Sequence, residues 1–313
     1  MPPSYRGPRH RIAWDGISFE VPDTWNLAEY AFKKRLTRIE LEDDYEPRMF
    51  AEWTISPVPI TPDSVDKRYK KQSRKLVEKS KEERIYEDMP PGWHARLYRQ
   101  NDGARIVVAY YLRDSRKFFA LLQLYFSKDS REDPRLVLNL IAETFQRHHN
   151  PVPWAVYDIS YEMPGNLRLL STELAAGRKL MVFHRGMRKF HVWHFSVADV
   201  VTEEYDTPAK FAASFLNFQP HFRALDIDAD GEDRLICKRR RWRYPLGHFD
   251  EIGRMCFKYR AGLRLLPDRN MLRIWIYNYR RDRDITDIPA DWLPHDTHSE
   301  YGAKPRFKSE HRP

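Results

Sequence analysis

The chain has 313 residues, 42% hydrophobic and 14% aromatic, which suits two ordinary domains and excludes disorder as its main state. Its 54 Lys+Arg against 45 Asp+Glu give a formal net charge of +9, a balance that favours anionic partners such as nucleic acid or acidic proteins. Two cysteines, Cys237 and Cys256, form neither a disulfide framework nor a C-x-x-C pair.

The N-terminus, "MPPSYRGPRHRIAWDG", is basic without an apolar signal segment, and no run approaches the ~18 apolar residues of a membrane span. The expectation is a cytoplasmic protein with flexible tails at 1–9 and 295–313. At 17–22, Ile17, Phe19 and Val21 alternate with Ser18 and Glu20, which predicts a strand with one buried face, closed by Pro22. Thr61 and Pro62 then supply an N-cap and an N1 proline. Val65, Tyr69 and Leu76 continue as an apolar stripe, so a helix is predicted over 66–84 with a basic opposite face that includes Lys67, Lys70, Lys71 and Arg74. "GWHARLYR" at 92–99 reads as a basic-aromatic strand. The stretches 104–112 and 118–126 read as strands apolar on both faces, which need cover on both sides. Asp133-Pro134 opens a second amphipathic helix with Leu136, Leu140 and Phe145 inward.

After a short connection, "HHNPVP" at 148–153, the same phrases return in the same order. "ISFEVP" at 17–22 becomes "ISYEMP" at 159–164, "RMFAEW" at 48–53 becomes "RKFHVW" at 188–193, and Thr61-Pro62 becomes Thr207-Pro208. Phe211, Phe215 and Phe218 take the place of the first helical stripe, and "MCFKY" (255–259) with "MLRIWIYNY" (271–279) that of the paired strands. "DIPADWLP" offers only a short turn where the first half has its closing helix. Repetition of ordered anchors predicts a duplicated unit, at 10–148 and, reduced, at 154–294.

The "ISFEVPDTW" opening, paired apolar strands and a closing "IAETF" helix resemble the Mog/PsbP-like fold. The resemblance implies α/β/α sandwich units; with the hairpin-linked strands, the repeat and the short 148–153 link, the expectation is an α+β chain of two tandem units, each with a mainly antiparallel sheet covered by helices, packed as a pseudo-dimer within one chain. It also implies a non-enzymatic role, since the members it brings to mind are a photosystem subunit, a binder of a nuclear-transport GTPase and secretion chaperones, with no shared catalytic motif to carry over.

The residues themselves offer few chemical constellations. Asp226, Asp228, Asp230 and Gly231 open like a calcium loop, but Cys237 stands where the bidentate carboxylate belongs, so the stretch reads as an acidic turn before a strand. His191 and His194, three apart on a predicted strand, point to opposite faces and cannot share one ion. His148, His149, His295 and His298 lie at a junction or in a polar tail. No G-x-S-x-G or glycine-rich phosphate loop occurs, and neither a cofactor nor a metal is implied.

The densest local feature is "CKRRRWRY" at 237–244, where Lys238, Arg239, Arg240, Arg241 and Arg243 interleave with Trp242 and Tyr244. Arginines beside aromatics suit phosphate pairing and base stacking, though charged edge strands also prevent sheet-to-sheet pairing. The expectation is a protein-binding adaptor or structural subunit. The alternative is a nucleic-acid-binding protein using the 238–244 strand and the 66–84 helix.

Overall fold

The structure is a computed structural model, and it describes residues 5–33, 36–56, 58–112, 117–239 and 257–293. The chain forms two units, residues 1–161 and 162–313.

Unit 1 begins with a hairpin, β1 (Arg9–Trp14) and β2 (Ile17–Pro22). Its two-residue turn, Asp15-Gly16, has positive φ at both positions (44° and 85°), the twist that a tight antiparallel hairpin demands. A meander follows: β3 (Asn26–Lys33), β4 (Leu36–Glu42) and β5 (Pro47–Ile55). Helix α1 (Pro62–Lys79) starts where expected, with the Thr61 hydroxyl accepting from the Ser64 amide. Then come β6 (Ser80–Tyr86), β7 (Trp93–Gln100), β8 (Arg105–Leu112) and β9 (Phe118–Phe126). Asp133 caps α2 (Pro134–Thr144), which is followed by β10 (Gln146–Arg147), β11 (Val152–Val156) and β12 (Ile159–Met163).

Strands β3 to β9 make a seven-stranded antiparallel sheet in the order β3-β4-β5-β9-β8-β7-β6. One face carries α1, whose Val65 and Tyr69 rest on Tyr98, Ile106, Val108, Phe119 and Leu121. Arg68 of α1 also reaches Glu52 on β5 at 2.6 Å, a carboxylate that Arg38 approaches from β4 at 3.3 Å. The remaining strands form a five-stranded sheet in the order β10-β2-β1-β11-β12. Trp53 Nε1 on β5 donates to the Asp15 carbonyl at 3.3 Å, and Trp14 lies 5.0 Å from Tyr30 and 5.1 Å from Trp154. The hairpin sheet thus packs against the β3–β5 side of the larger one, while α2 packs on β2 and β8.

Unit 2 holds β13 (Arg168–Ala175), β14 (Arg178–Arg185) and β15 (Arg188–Ser196), then the short α3 (Ala198–Thr202) and α4 (Pro208–Phe218). Strands β16 (Leu225–Asp230), β17 (Arg234–Arg239), β18 (Lys258–Leu266) and β19 (Met271–Tyr279) complete it. Its seven-stranded sheet has the order β13-β14-β15-β19-β18-β17-β16. Counted from the first strand of each, this is the order of the unit 1 sheet. Thr207 caps α4 as Thr61 caps α1. Helix α4 sets Ala209, Ala212, Ala213 and Leu216 against Trp193, Phe195, Leu272, Ile274 and Ile276. On the opposite face Trp292, from a single 3-10 turn at 290–292, meets Phe190 at 5.6 Å and Trp275 at 6.5 Å.

Several expectations are corrected. The α/β/α sandwiches are not formed: the architecture is three antiparallel sheets, with helix on part of a face. The reason is geometric. A single 18-residue helix is about 27 Å long and ~10 Å wide, too little to cover a seven-stranded sheet roughly 33 Å across. The second face of the unit 1 sheet is met largely by another sheet. The basic helix predicted over 66–84 ends at Lys79, because Ser80 turns extended and residues 80–86 pair with β7 as an edge strand. Of the strand expected at 255–259, Met255 and Cys256 lie outside the described residues, and the described strand runs from Lys258 to Leu266. Phe145 lies just past α2 rather than within it, with Trp93 and Tyr111 within 5.3 Å of its ring. Phe218 is 82% exposed, so the α4 stripe is not the predicted one.

Candidate functional site: an arginine pocket in unit 2

The β14–β15 hairpin turns at Gly186, whose φ of +60° suits the missing side chain, and it places Arg185 and Arg188 opposite one another at its tip. The chain leaves β19 as Arg280-Arg281 and winds into a 3-10 turn at Asp282–Asp287. Two carboxylates of that turn are buried, Asp284 and Asp287. Asp284 accepts the amides of Arg280 (3.3 Å) and Arg281 (3.0 Å), which shapes the turn, and pairs with Arg188 at 3.0 Å. Asp287 accepts from Asn166 Nδ2 (2.8 Å), Tyr277 OH (2.7 Å), Arg185 (3.2 Å) and Arg188 (3.1 Å).

Five arginines line one cavity of about 280 Å³, namely Arg185, Arg188, Arg280, Arg281 and Arg283, with Met187 and Phe257 as its apolar wall. Burial opposes ionisation of Asp284, but the Arg281 amide, the Arg188 charge and the Arg280 amide outweigh it and hold its carboxyl below the usual range. Burial and the hydrogen bond to Asp287 push the Tyr277 phenol up, so it stays a donor at neutral pH. Two arginines are thus oriented by buried carboxylates while Arg280, Arg281 and Arg283 are exposed. Arginines gathered around one cavity can present paired N–H donors suited to carboxylate or phosphate oxygens.

The residues singled out from the sequence are dispersed. Lys67, Lys70, Lys71 and Arg74 lie exposed along α1 in unit 1. Lys238 is exposed on β17 in unit 2 and pairs with Asp228 at 3.4 Å. Arg239 ends β17, and its side chain lies outside the described residues, as do Arg240, Arg241, Trp242, Arg243, Tyr244 and Cys256. The acidic stretch at 226–231 is not a loop. Asp226, Asp228 and Asp230 line the exposed face of the edge strand β16, paired residue for residue with β17. Among the described residues no three His, Cys, Asp or Glu side chains are grouped to hold a metal ion.

His191 and His194 do point to opposite faces. His191 stacks on Trp193 at 5.6 Å, whereas His194 accepts from Arg273 Nε at 3.1 Å. Burial, with the charges of Arg273 and Lys179, pushes the His194 pKa well down, making it a neutral core group. Burial pushes the Cys237 thiol up to about 12, which leaves it a poor nucleophile. His148 Nε2 lies 2.9 Å from Ser18 Oγ and fastens the approach to β11 onto the first hairpin. No helix among the described residues is long and apolar enough to cross a membrane.

The arginine pocket escaped sequence reasoning. Its signals were present, as "HRGMRK" at 184–189 and "YRRDRDITD" at 279–287, yet only the fold brings the two segments together.

No family model matches the chain, and no curated protein does. Among solved structures, the solution structure of cyanobacterial PsbP (CyanoP) from Synechocystis sp. PCC 6803 aligns with 46% of this chain and 95% of its own, at 13% identity and a TM-score of 0.32.

Proposed function

We propose that the chain is a non-enzymatic binding protein whose unit 2 pocket grips an acidic segment of a partner protein. The observation that carries this reading is the convergence of Arg185, Arg188, Arg280, Arg281 and Arg283 on one cavity, two of them held by buried carboxylates. Preset guanidinium groups lose less freedom on binding than mobile surface lysines do, so their geometry favours a defined carboxylate pattern over diffuse attraction. We further propose that the chain arose by duplication of one module. Support comes from the identical strand order of the two seven-stranded sheets and from the repeated Thr-Pro helix starts.

The test is fluorescence anisotropy of a labelled peptide alternating Glu and Asp with Gly, titrated with the full chain. Saturable binding is expected to weaken steeply as salt rises, and Arg280→Glu with Arg283→Glu is expected to abolish it. Binding that survives the double substitution overturns the reading.

A second reading, nucleic-acid binding, has one observation in its favour: Lys67, Lys70, Lys71 and Arg74 form an exposed cationic run on α1. It requires that the logarithm of single-strand affinity fall linearly with that of salt, and that Lys67→Glu with Lys71→Glu remove most of the binding. A flat salt dependence rejects it.

A further inference from the structure

Helix α1 covers only part of its sheet face. Val65 and Tyr69 rest on the β7, β8 and β9 side, and beyond them the same face is open toward β4 and β5. There Glu40 stands directly across from Phe50, and Ile106 across from Tyr125. Together with Met49 and Phe126 these residues bound a groove of about 580 Å³.

Its charge is opposite to that of the chain. Glu40, Glu46 and Asp102 line it, and among the described residues no Lys, Arg or His does, although the chain as a whole stands at +9. Arg48 neutralises part of this by pairing with Glu46 at 2.9 Å. Glu40 is exposed at the rim, and Asp102 takes the Ala104 amide at 2.9 Å while its carboxylate remains exposed. Burial and the neighbouring Glu40 charge push the Tyr125 phenol up to about 12, so the ring is neutral beside a carboxylate at any working pH. Phe50 already accepts one guanidinium: Arg38, held by Glu52, lies 5.6 Å from its ring centroid. Aromatic faces beside carboxylates form the environment in which a planar cation gains both stacking and ion pairing.

We infer that this groove docks an extended segment of a partner protein that presents an arginine between apolar residues. The apolar neighbours lie on Phe50 and Ile106, since Met49 and Phe126 border the groove with side chains turned to the buried opposite face, while the guanidinium reaches Glu40 and Asp102 across Tyr125. This site lies wholly within unit 1 and takes the opposite charge from the arginine pocket, so either proposal can fail alone.

The experiment titrates the full chain into two fluorescein-labelled peptides, acetyl-Ala-Leu-Arg-Leu-Ala and the same sequence with citrulline for arginine. Citrulline keeps the shape and removes the charge. The arginine peptide is expected to bind saturably, the citrulline peptide at least about tenfold more weakly, a difference of about 1.4 kcal/mol. Glu40→Gln is expected to narrow that gap several-fold. Because Glu40 is exposed, this variant is expected to keep the wild-type far-UV spectrum, which is recorded alongside. Equal affinity for the two peptides overturns the inference. So does an unchanged gap in Glu40→Gln, or the lack of saturable arginine-peptide binding at millimolar concentration.

Discussion

Tyr277 donates its hydroxyl to Asp287 Oδ2 at 2.7 Å, and through that carboxylate it holds Arg185 and Arg188 at the tip of the β14–β15 hairpin, whose β15 pairs directly with β19. A fully buried phenol on β19 therefore helps set the geometry of both arginines: Arg188, half-buried, which it also meets directly, and Arg185, exposed, which it reaches through Asp287. Tyr277→Phe removes the hydrogen bond to Asp287 and the contact with Arg188, and leaves Asp287 with Asn166, Arg185 and Arg188 as partners. The expected loss is about 1.5 kcal/mol of stability in urea unfolding. Acidic-peptide affinity is expected to fall as well, since the two arginines lose part of their anchor. Unchanged affinity in a folded Tyr277→Phe would show that the arginines are positioned without it.

Asp284 provides a pH signature. Its native pKa is depressed, by the Arg281 amide, the Arg188 charge and the Arg280 amide against the opposing effect of burial. A depressed carboxyl contributes stability that is fully present above the ordinary value of 3.8 and is lost as the pH falls through the native value. Asp284→Asn removes that linkage. The slope of unfolding free energy against pH below ~4 is expected to be shallower in the variant than in the wild type. Equal slopes would mean that other carboxylates carry the acid sensitivity.

Helix α4 shows what was legible in the sequence and what was not. Its start was readable, because Thr207 and Pro208 act locally, through a hydroxyl on the Lys210 amide and a proline at N1. Its buried face was not. Large aromatic residues mark a stripe only if the neighbouring sheet leaves room for them, and here the close face is Ala209, Ala212, Ala213 and Leu216, while Phe211 and Phe215 pack at the side and Phe218 is out. Leu216→Ala is thus expected to cost about 2–5 kcal/mol, and Phe218→Ser less than about 0.5. Thermal unfolding of the two variants ranks them, and the reverse order would mean that the helix is rotated from this arrangement.

The same division runs through the rest of the molecule. Strands β8 and β9 were readable from unbroken apolar runs, and β2 and β12 from strict alternation. The outer strands β3, β4, β13 and β14 mix charged and apolar residues on half-exposed edges, so their period-two signal is faint. The arginine pocket was further out of reach. It joins a turn at 185–188 to one at 280–287, and only the β15–β19 pairing makes them neighbours.

Gly262 gives the most local test of the unit 2 sheet. It sits on β18 opposite Trp275 of β19, and a Cβ built there would lie 2.6 Å from Trp275 Cζ2 and 2.7 Å from Cε2. The indole is 1% exposed and faces Phe190 and Trp292 on its other sides, so it has little room to retreat. Gly262→Ala must then displace either the ring or the strand, at an expected cost of about 1–3 kcal/mol. Because Trp275 would be the ring that shifts, the near-UV dichroism of the native protein is expected to change along with the unfolding midpoint. A variant of wild-type stability and unchanged near-UV signal would show that the indole does not cross the strand at this glycine.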